Sequence, residues 1–249
     1  VSFNLKSLGA TAVALLALTA GTAQALDTTT VDFGSGTGGW SGPSGIGGAT
    51  FIDPTMGNSA PALRTQFNNF GIAFTNSTAA FTGDWTVAPS VTFSVDVFTT
   101  SVQYFGMDVT RELVLELRDY DSAINGMPYT SVWFSLGTLS GGGSGWQHLS
   151  VTISDTGAAA LPAGWGGYGD EDNFGSPILP AGVTFADVLR GVDQVALTTL
   201  VPGYFYGFTD FDVAIDNVSV TAVPEPTSAA LLGLGVLGLA AARRMRRRD

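Results

Sequence analysis

Residues 164–175 read Gly-Trp-Gly-Gly-Tyr-Gly-Asp-Glu-Asp-Asn-Phe-Gly, the densest gathering of chemically useful side chains in this 249-residue chain. Trp165 and Tyr168 offer flat aromatic faces on which an apolar ring can stack, a sugar ring included. Asp170, Glu171, Asp172 and Asn173 add hydrogen-bonding groups or hard oxygen ligands for a cation. The spacing does not fit an EF-hand loop, because Phe174 falls where a ligand belongs. The same stretch also reads as an aromatic loop packed over the edge of a sheet with its acids in water.

Other chemistry is scarce. The chain has one histidine, His148, and no cysteine, so neither a three-histidine nor a His/Cys zinc site can be built. No nucleophile signature such as Gly-x-Ser-x-Gly stands near His148, and a triad needs a positioned nucleophile and base. Glycoside hydrolysis needs only two carboxylates. Glu112 and Glu116 share a face if their segment is a strand, but four residues at ~3.3 Å each is roughly 13 Å. Productive pairs sit about 5–9.5 Å apart. Glu116 and Arg118, two residues apart on that face, read as a solvated ion pair. These residues point away from an enzyme. A carboxylate pair formed across sheets, as in a glycosidase or polysaccharide lyase, is the alternative.

The segments that must position these residues alternate apolar and polar. Residues 91–98 do so without a break, residues 147–153 place Leu149, Val151 and Ile153 on one face, and residues 113–117, 194–200 and 213–220 repeat the pattern. Period-two alternation of β-branched and aromatic residues marks half-buried strands. In this register His148 faces away from the core with Trp146 and Ser150. Gly-, Ser-, Pro- and Asp-rich stretches such as 35–48 and 140–145 read as the intervening loops. About ten short strands predict an all-β, two-sheet antiparallel β-sandwich. Only residues 185–190 read as helical.

Both ends differ from this body. Lys6, the apolar residues 8–20 and the small residues Ala23 and Ala25 predict a secretory signal peptide cleaved after Ala25 by signal peptidase. At the other end, Val223-Pro224-Glu225-Pro226 precedes an uncharged segment, 227–242, and then five arginines between residues 243 and 248. Sixteen helical residues span roughly 24 Å, near the hydrocarbon thickness of a bilayer. Arginines behind a membrane span stay on the cytoplasmic side, which places the body outside. The expected organisation is therefore 1–25 signal peptide, 26–222 sandwich and 223–249 tail with a transmembrane helix. Residues 26–222 hold 19 acids against four arginines, a net −15, so nucleic acid is an unsuitable partner. Without cysteines, the core must hold without disulfides.

The ordered tail resembles the sorting tail of PEP-CTERM proteins. The resemblance covers about a tenth of the chain. It implies that Pro224, Glu225 and Pro226 are recognised by exosortase, a membrane enzyme that cleaves near the motif. It also implies a Gram-negative bacterium that makes exopolysaccharide and biofilm. The body resembles galactose-binding-like jelly-roll modules at both of its ends. Asp32-Phe33-Gly34 with Gly38-Gly39-Trp40 looks like their opening, and residues 214–220, Ala-Ile-Asp-Asn-Val-Ser-Val, look like their closing strand. Those modules include many carbohydrate-binding domains, and many hold a structural calcium. Carried over, Asp32 and Asp216 would be calcium ligands; Asp216 and Asn217 also read as the cap or bulge of an edge strand. The combined expectation is an exported, exosortase-processed, non-catalytic protein of the cell envelope or extracellular matrix that binds or adheres within exopolysaccharide. A purely structural matrix protein is the second alternative.

Overall fold

The computed structural model describes residues 27–124, 126–143 and 145–223. The signal-peptide residues Ala23 and Ala25, the motif Pro224, Glu225 and Pro226, and the apolar segment behind it lie outside the described residues. Among the described residues no helix is long and apolar enough to cross a membrane.

Fourteen strands follow in chain order: β1 Asp27–Val31, β2 Gly48–Asp53, β3 Ala62–Asn69, β4 Ala73–Asn76, β5 Ser90–Tyr104, β6 Met107–Asp108, β7 Thr110–Asp119, β8 Thr130–Ser140, β9 Gln147–Ile153, β10 Trp165–Tyr168, β11 Asp170–Glu171, β12 Pro177–Ile178, β13 Gln194–Thr198 and β14 Thr209–Val223. Among the described residues one α-helix, α1 Phe185–Arg190, stands between β12 and β13, and a single 3-10 turn covers Trp85–Val87. All pairings are antiparallel. A seven-stranded sheet is built on β14 and β5 as its centre. β3 and then β2 flank the first half of β14, while β1 flanks its second half; β9 and β6 pair with opposite ends of β5. The second sheet has the order β10-β8-β7-β13-β4. β11 and β12 form a small hairpin of their own. This is the all-β sandwich that the alternation predicts. The strands are more numerous and less even than expected, because β5 and β14 each run 15 residues. Register shifts at Asp212/Val213 and Asp216/Ser219 mark bulges, the kind of irregularity that bends a strand and increases its twist.

The core lies between the two sheets. Leu113, Leu115 and Leu117 of β7 meet Val91, Phe93, Val95 and Val97 of β5 and Val213 and Ile215 of β14 in one buried cluster. The aromatic residues of the opening motif belong to it: Phe33 is 1% exposed, and Trp40 packs edge-on against Phe81 at 5.2 Å. The motif therefore serves packing. On β9, Val151 and Ile153 face inward as expected, while His148 is 63% exposed on the outer face. α1 opens with a capping box in which Thr184 Oγ1 accepts the Asp187 N–H and the Asp187 carboxylate accepts the Thr184 N–H.

The outer face of the seven-stranded sheet is a polar lattice. Hydroxyl pairs Thr92–Thr152, Ser94–Ser219 and Thr28–Thr221 cross it. Arg64 bridges Asp53 and Asp212, and Asp96 accepts bonds from Asn58, Asn217 and His148. Several of these carboxyls lie low. Asp53 is pulled down to about 2, first by the Thr55 N–H, then by the Thr55 hydroxyl and Arg64. Asp187 is drawn to about 2 by the Thr184 hydroxyl and N–H. Burial alone would raise Asp96, but its three side-chain partners outweigh that and leave it lowered; Asp212 is lowered in the same way by Arg64 and Gln66. A folded-state value below the unfolded one, about 3.9, contributes stability that is full above pH ~4 and is lost as pH falls through the folded value. The melting temperature should therefore stay level from about pH 7 to pH 5 and fall between about pH 4 and pH 2. A level profile down to pH 2 would show that these bonds add nothing to the fold.

Candidate functional site

The outer face of the five-stranded sheet carries the site. Leu115 and Leu117 point into the core, so Glu116 and Arg118 point outward. The register sets Glu116 beside Trp133 and Ala196, and Arg118 beside Ser131 and Gln194. One strand further out, Trp133 lies beside Gly166, and Ser131 beside Tyr168. The indole of Trp133 lies against Gly166, where a Cβ would fall 2.3–2.6 Å from three of its ring atoms. That close approach requires glycine.

Glu116 is the organising charge. It is 1% exposed. One oxygen accepts the Ser131 hydroxyl at 2.7 Å, and the other accepts Arg118 Nε at 2.8 Å and Nη2 at 2.5 Å. The Arg118 side chain is 12% exposed. This corrects the expected solvated pair: aromatic residues cover it, so it is a buried ion pair. Arg118 Nη1 donates to Gln194 Oε1, which also accepts the Tyr120 hydroxyl. Burial lowers the guanidinium, and the nearby Glu116 charge more than offsets that, so Arg118 is held above its ordinary value.

Above this pair runs a line of tyrosines. Tyr120 and Tyr129 have ring centroids 5.5 Å apart, and Tyr129 and Tyr168 5.2 Å apart. The Arg118 guanidinium sits 4.7 Å from the Tyr129 ring centre. Burial first, and then the Glu116 charge, push the Tyr129 phenol far above its usual range; Tyr168 is raised for the same reasons. Both therefore remain hydroxyl donors at neutral pH. Tyr120 is 42% exposed, and Tyr129 and Tyr168 are partly exposed. Their loop is fixed from beneath by Asp119, whose buried carboxylate accepts the N–H groups of Asp121 and Ser122. The result is a half-exposed aromatic strip with hydroxyl edges, in which Tyr168 lies on β10 and Tyr120 and Tyr129 flank the ends of β7 and β8.

The residues expected in segment 164–175 are only partly brought together. It contains two strands, β10 and β11, instead of one loop. Trp165 and Tyr168 are three apart on β10, so they face opposite sides. Tyr168 joins the strip. Trp165 is 9% exposed in the core, 5.5 Å from Phe134 and 5.1 Å from Phe185, and is not part of a binding surface. Asp172 accepts the N–H groups of Phe174 and Ser176 and so closes the hairpin turn, while Asp170 accepts the N–H of Glu171. Neither is brought to the tyrosines by any bond of the structure. Tyr120, Tyr129, Trp133 and Gln194 were not anticipated. Their one sequence signal is that Tyr120 and Tyr129 bracket the connection between β7 and β8.

Asp32 and Asp216 do not fit a calcium site as they stand. Such an ion takes six to eight oxygens. The exposed Asp32 carboxylate accepts the Gly34 N–H, and the two oxygens of the fully buried Asp216 accept N–H groups of Ser59 and Asn217. Asn217, at φ 47°, forms the bulge of β14 and donates to Asp96. Among the described residues no group of three or more His, Cys, Asp or Glu side chains is placed to hold a metal. His148 Nδ1 lies 2.7 Å from Asp96, and among the described residues no serine hydroxyl bonds to its ring. Glu116 is committed to Arg118 and Ser131, which removes it as a free acid on this face.

Residues 222–248 match the PEP-CTERM protein-sorting motif. No curated protein matches the chain. Among solved structures, the family 11 carbohydrate-binding module of Clostridium thermocellum, in complex with a β-1,3-1,4-mixed-linked tetrasaccharide, matches at 15% identity over 81% of this chain and 99% of that one, with a TM-score of 0.45. The CBM22-2 xylan-binding domain of Paenibacillus barcinonensis Xyn10C matches at 12% identity over 78% and 99%, TM-score 0.44. A conserved carbohydrate esterase of the Shiga toxin-encoding bacteriophage phi24B matches at 12% identity over 80% and 100%, TM-score 0.43.

Proposed function

We propose that this chain is an exported, non-catalytic polysaccharide-binding protein that is processed at its tail by exosortase and acts in an extracellular or cell-envelope matrix. One observation carries the binding part: the strip of Tyr120, Tyr129 and Tyr168 on the outer face of the five-stranded sheet, braced from below by the Glu116–Arg118 pair. Tyr120 stands edge-on to Tyr129 at 5.5 Å and Tyr168 is tilted against it at 5.2 Å, so the strip offers separate part-exposed ring surfaces with hydroxyls beside them. A pyranose has the complementary chemistry, with C–H groups on its face and hydroxyls around its rim. Each tyrosine that stacks a sugar removes ~80 Å² of apolar surface from water, about 2 kcal/mol, or roughly thirtyfold in affinity. Tyr168→Ala should therefore weaken retention in polysaccharide affinity gels by that order while the melting temperature changes little. His148→Ala, on the other sheet, should leave retention unchanged. Retention that survives both Tyr168→Ala and Tyr120→Ala would remove the strip from the binding role.

The sorting part rests on the motif matched at residues 222–248. Replacing Pro224, Glu225 and Pro226 together with alanine should leave export intact and trap an unprocessed precursor in the membrane. Mass spectrometry of the mature C-terminus checks this. A mature wild-type protein that still carries Arg243 and Asp249 would mean that the tail is a simple anchor.

A further inference from the structure

Residues 199–208 connect β13 to β14 and read Thr-Leu-Val-Pro-Gly-Tyr-Phe-Tyr-Gly-Phe, without a charge. Val201 is buried and fixes the loop, while Tyr204, Phe205 and Phe208 turn outward. The Phe70 ring, just past β3, lies 4.9 Å from Phe205 and 4.0 Å from Phe208. The turn between β5 and β6 joins the same surface. Gly207 lies against the Tyr104 ring, where a Cβ would fall 2.5 Å from Cε2. Tyr104 stands 4.6 Å from Phe105 and pairs with Met107 across the turn. Phe105 sits in that two-residue turn at φ 50°, where Asn or Gly is the favoured residue. Bulky side chains avoid this left-handed conformation, yet here it holds a phenyl ring out in water.

The outcome is a contiguous apolar surface at the end of the sandwich where β5 finishes and β14 begins. Phe105, Met107, Leu200, Tyr204, Phe205 and Phe208 are between 46% and 84% exposed. A large aromatic side chain carries about 150–250 Å², so together these residues present roughly 700 Å² of accessible surface. Monomeric proteins rarely leave a contiguous apolar patch of more than a few hundred Å² uncovered.

We propose that this end of the sandwich docks on the same end of a second copy of the chain, in a two-fold symmetric dimer. The area fits, since a standard interface buries about 800 Å² per partner. The charge pattern fits as well. Residues 26–222 carry a net −15, so two copies repel each other over most of their surface. Residues 69–72, 103–107 and 199–209 hold no charge, which makes this end the place where two acidic bodies can meet. A two-fold contact sets a patch against itself and so needs a self-complementary surface. Aromatic rings meet that need by packing edge-to-face or offset. A charged partner would find no counter-charge within these segments, and nothing in them attracts an anionic bilayer. β14 starts at the patch and ends fifteen residues on at Val223, so the tail does not compete for this surface. The dimer does not depend on the polysaccharide reading of the tyrosine strip.

The chain has no cysteine, so single cysteines report the contact without background. The purified full chain carrying Tyr204→Cys, in a mild non-ionic detergent, should become mostly covalent dimer with a short bismaleimide. Val87→Cys, comparably exposed but at the end where β5 starts and β14 finishes, should stay monomeric. Light scattering over a dilution series gives the dimer constant of the chain without cysteines. Phe105→Ser and, independently, Phe205→Ser should each weaken that constant by at least about tenfold, because a substitution counts twice in a symmetric contact. Raising sodium chloride from about 0.05 M to about 0.5 M should strengthen the dimer by screening the two acidic bodies. Equal cross-linking at Val87, with both serine variants dimerising as well as wild type, is the pattern expected if the tails hold the copies together, and it overturns the proposal. A dimer that weakens with salt overturns it too, as does a monomer at every concentration. In that last case, weaker retention of Tyr204→Cys on neutral polysaccharide gels would make the loop a sugar platform instead.

Discussion

Trp165→Ala should destabilise the sandwich by about 3–5 kcal/mol, the usual cost of emptying a buried aromatic site. The indole is wedged between Phe134 and Phe185, so its loss leaves a cavity that α1 and β8 line from two sides. For a domain of this size each kcal/mol moves the melting temperature by roughly 2–4 °C, so a fall of about 10 °C is expected. Polysaccharide retention by the folded protein should not change, because the indole lies on the opposite side of β10 from Tyr168. Calorimetric melting and an affinity gel on the same sample separate the two effects. A melting temperature within about 2 °C of wild type, with weakened retention, would falsify the assignment of Trp165 to the core.

Glu116→Gln should cost about as much for a different reason. It leaves the Arg118 guanidinium, 12% exposed, without the charge that holds it, and breaking one side of a buried ion pair typically costs about 3–5 kcal/mol. Removing both charges, in Glu116→Gln with Arg118→Met, should recover much of the loss, since a matched apolar replacement is often neutral. The double-mutant cycle isolates the coupling. Additive losses would show that the two residues act independently. The double variant should nonetheless bind polysaccharide less well than wild type, because Tyr129 rests on the Arg118 guanidinium.

Fold class was legible because strand alternation is local. β9 falls on residues 147–153, and α1 on residues 185–190, as the pattern predicts. Sorting of residues to faces was legible in the same way, which is why His148 lies outside and Leu115 inside. The site was not legible, because it is assembled by register. Nothing in the sequence places Tyr168 beside Tyr129, which is 39 residues earlier; the pairing of β10 with β8 does so. The same gap explains Trp165. Gly-Trp-Gly-Gly-Tyr looks like a flexible loop by composition, yet two of its glycines are there to let Trp133 and Leu179 approach a strand. The burial of Arg118 was hidden for a related reason: Tyr129, whose ring lies over the guanidinium, comes from the far side of the β7–β8 connection.

The way the body ends has a mechanical consequence. Val223, the residue before Pro224-Glu225-Pro226, is the last of β14, and β14 is the central strand of its sheet. It is hydrogen-bonded along most of its length to β5 on one side, and to β3 and then β1 on the other. A load applied at Val223 along the strand axis is shared in shear by many backbone bonds. An edge strand pulled away sideways would give up its bonds one at a time. Were the protein held at this end and bound to sugar by its tyrosine strip, as proposed, the grip on sugar would be expected to fail before the domain unravels.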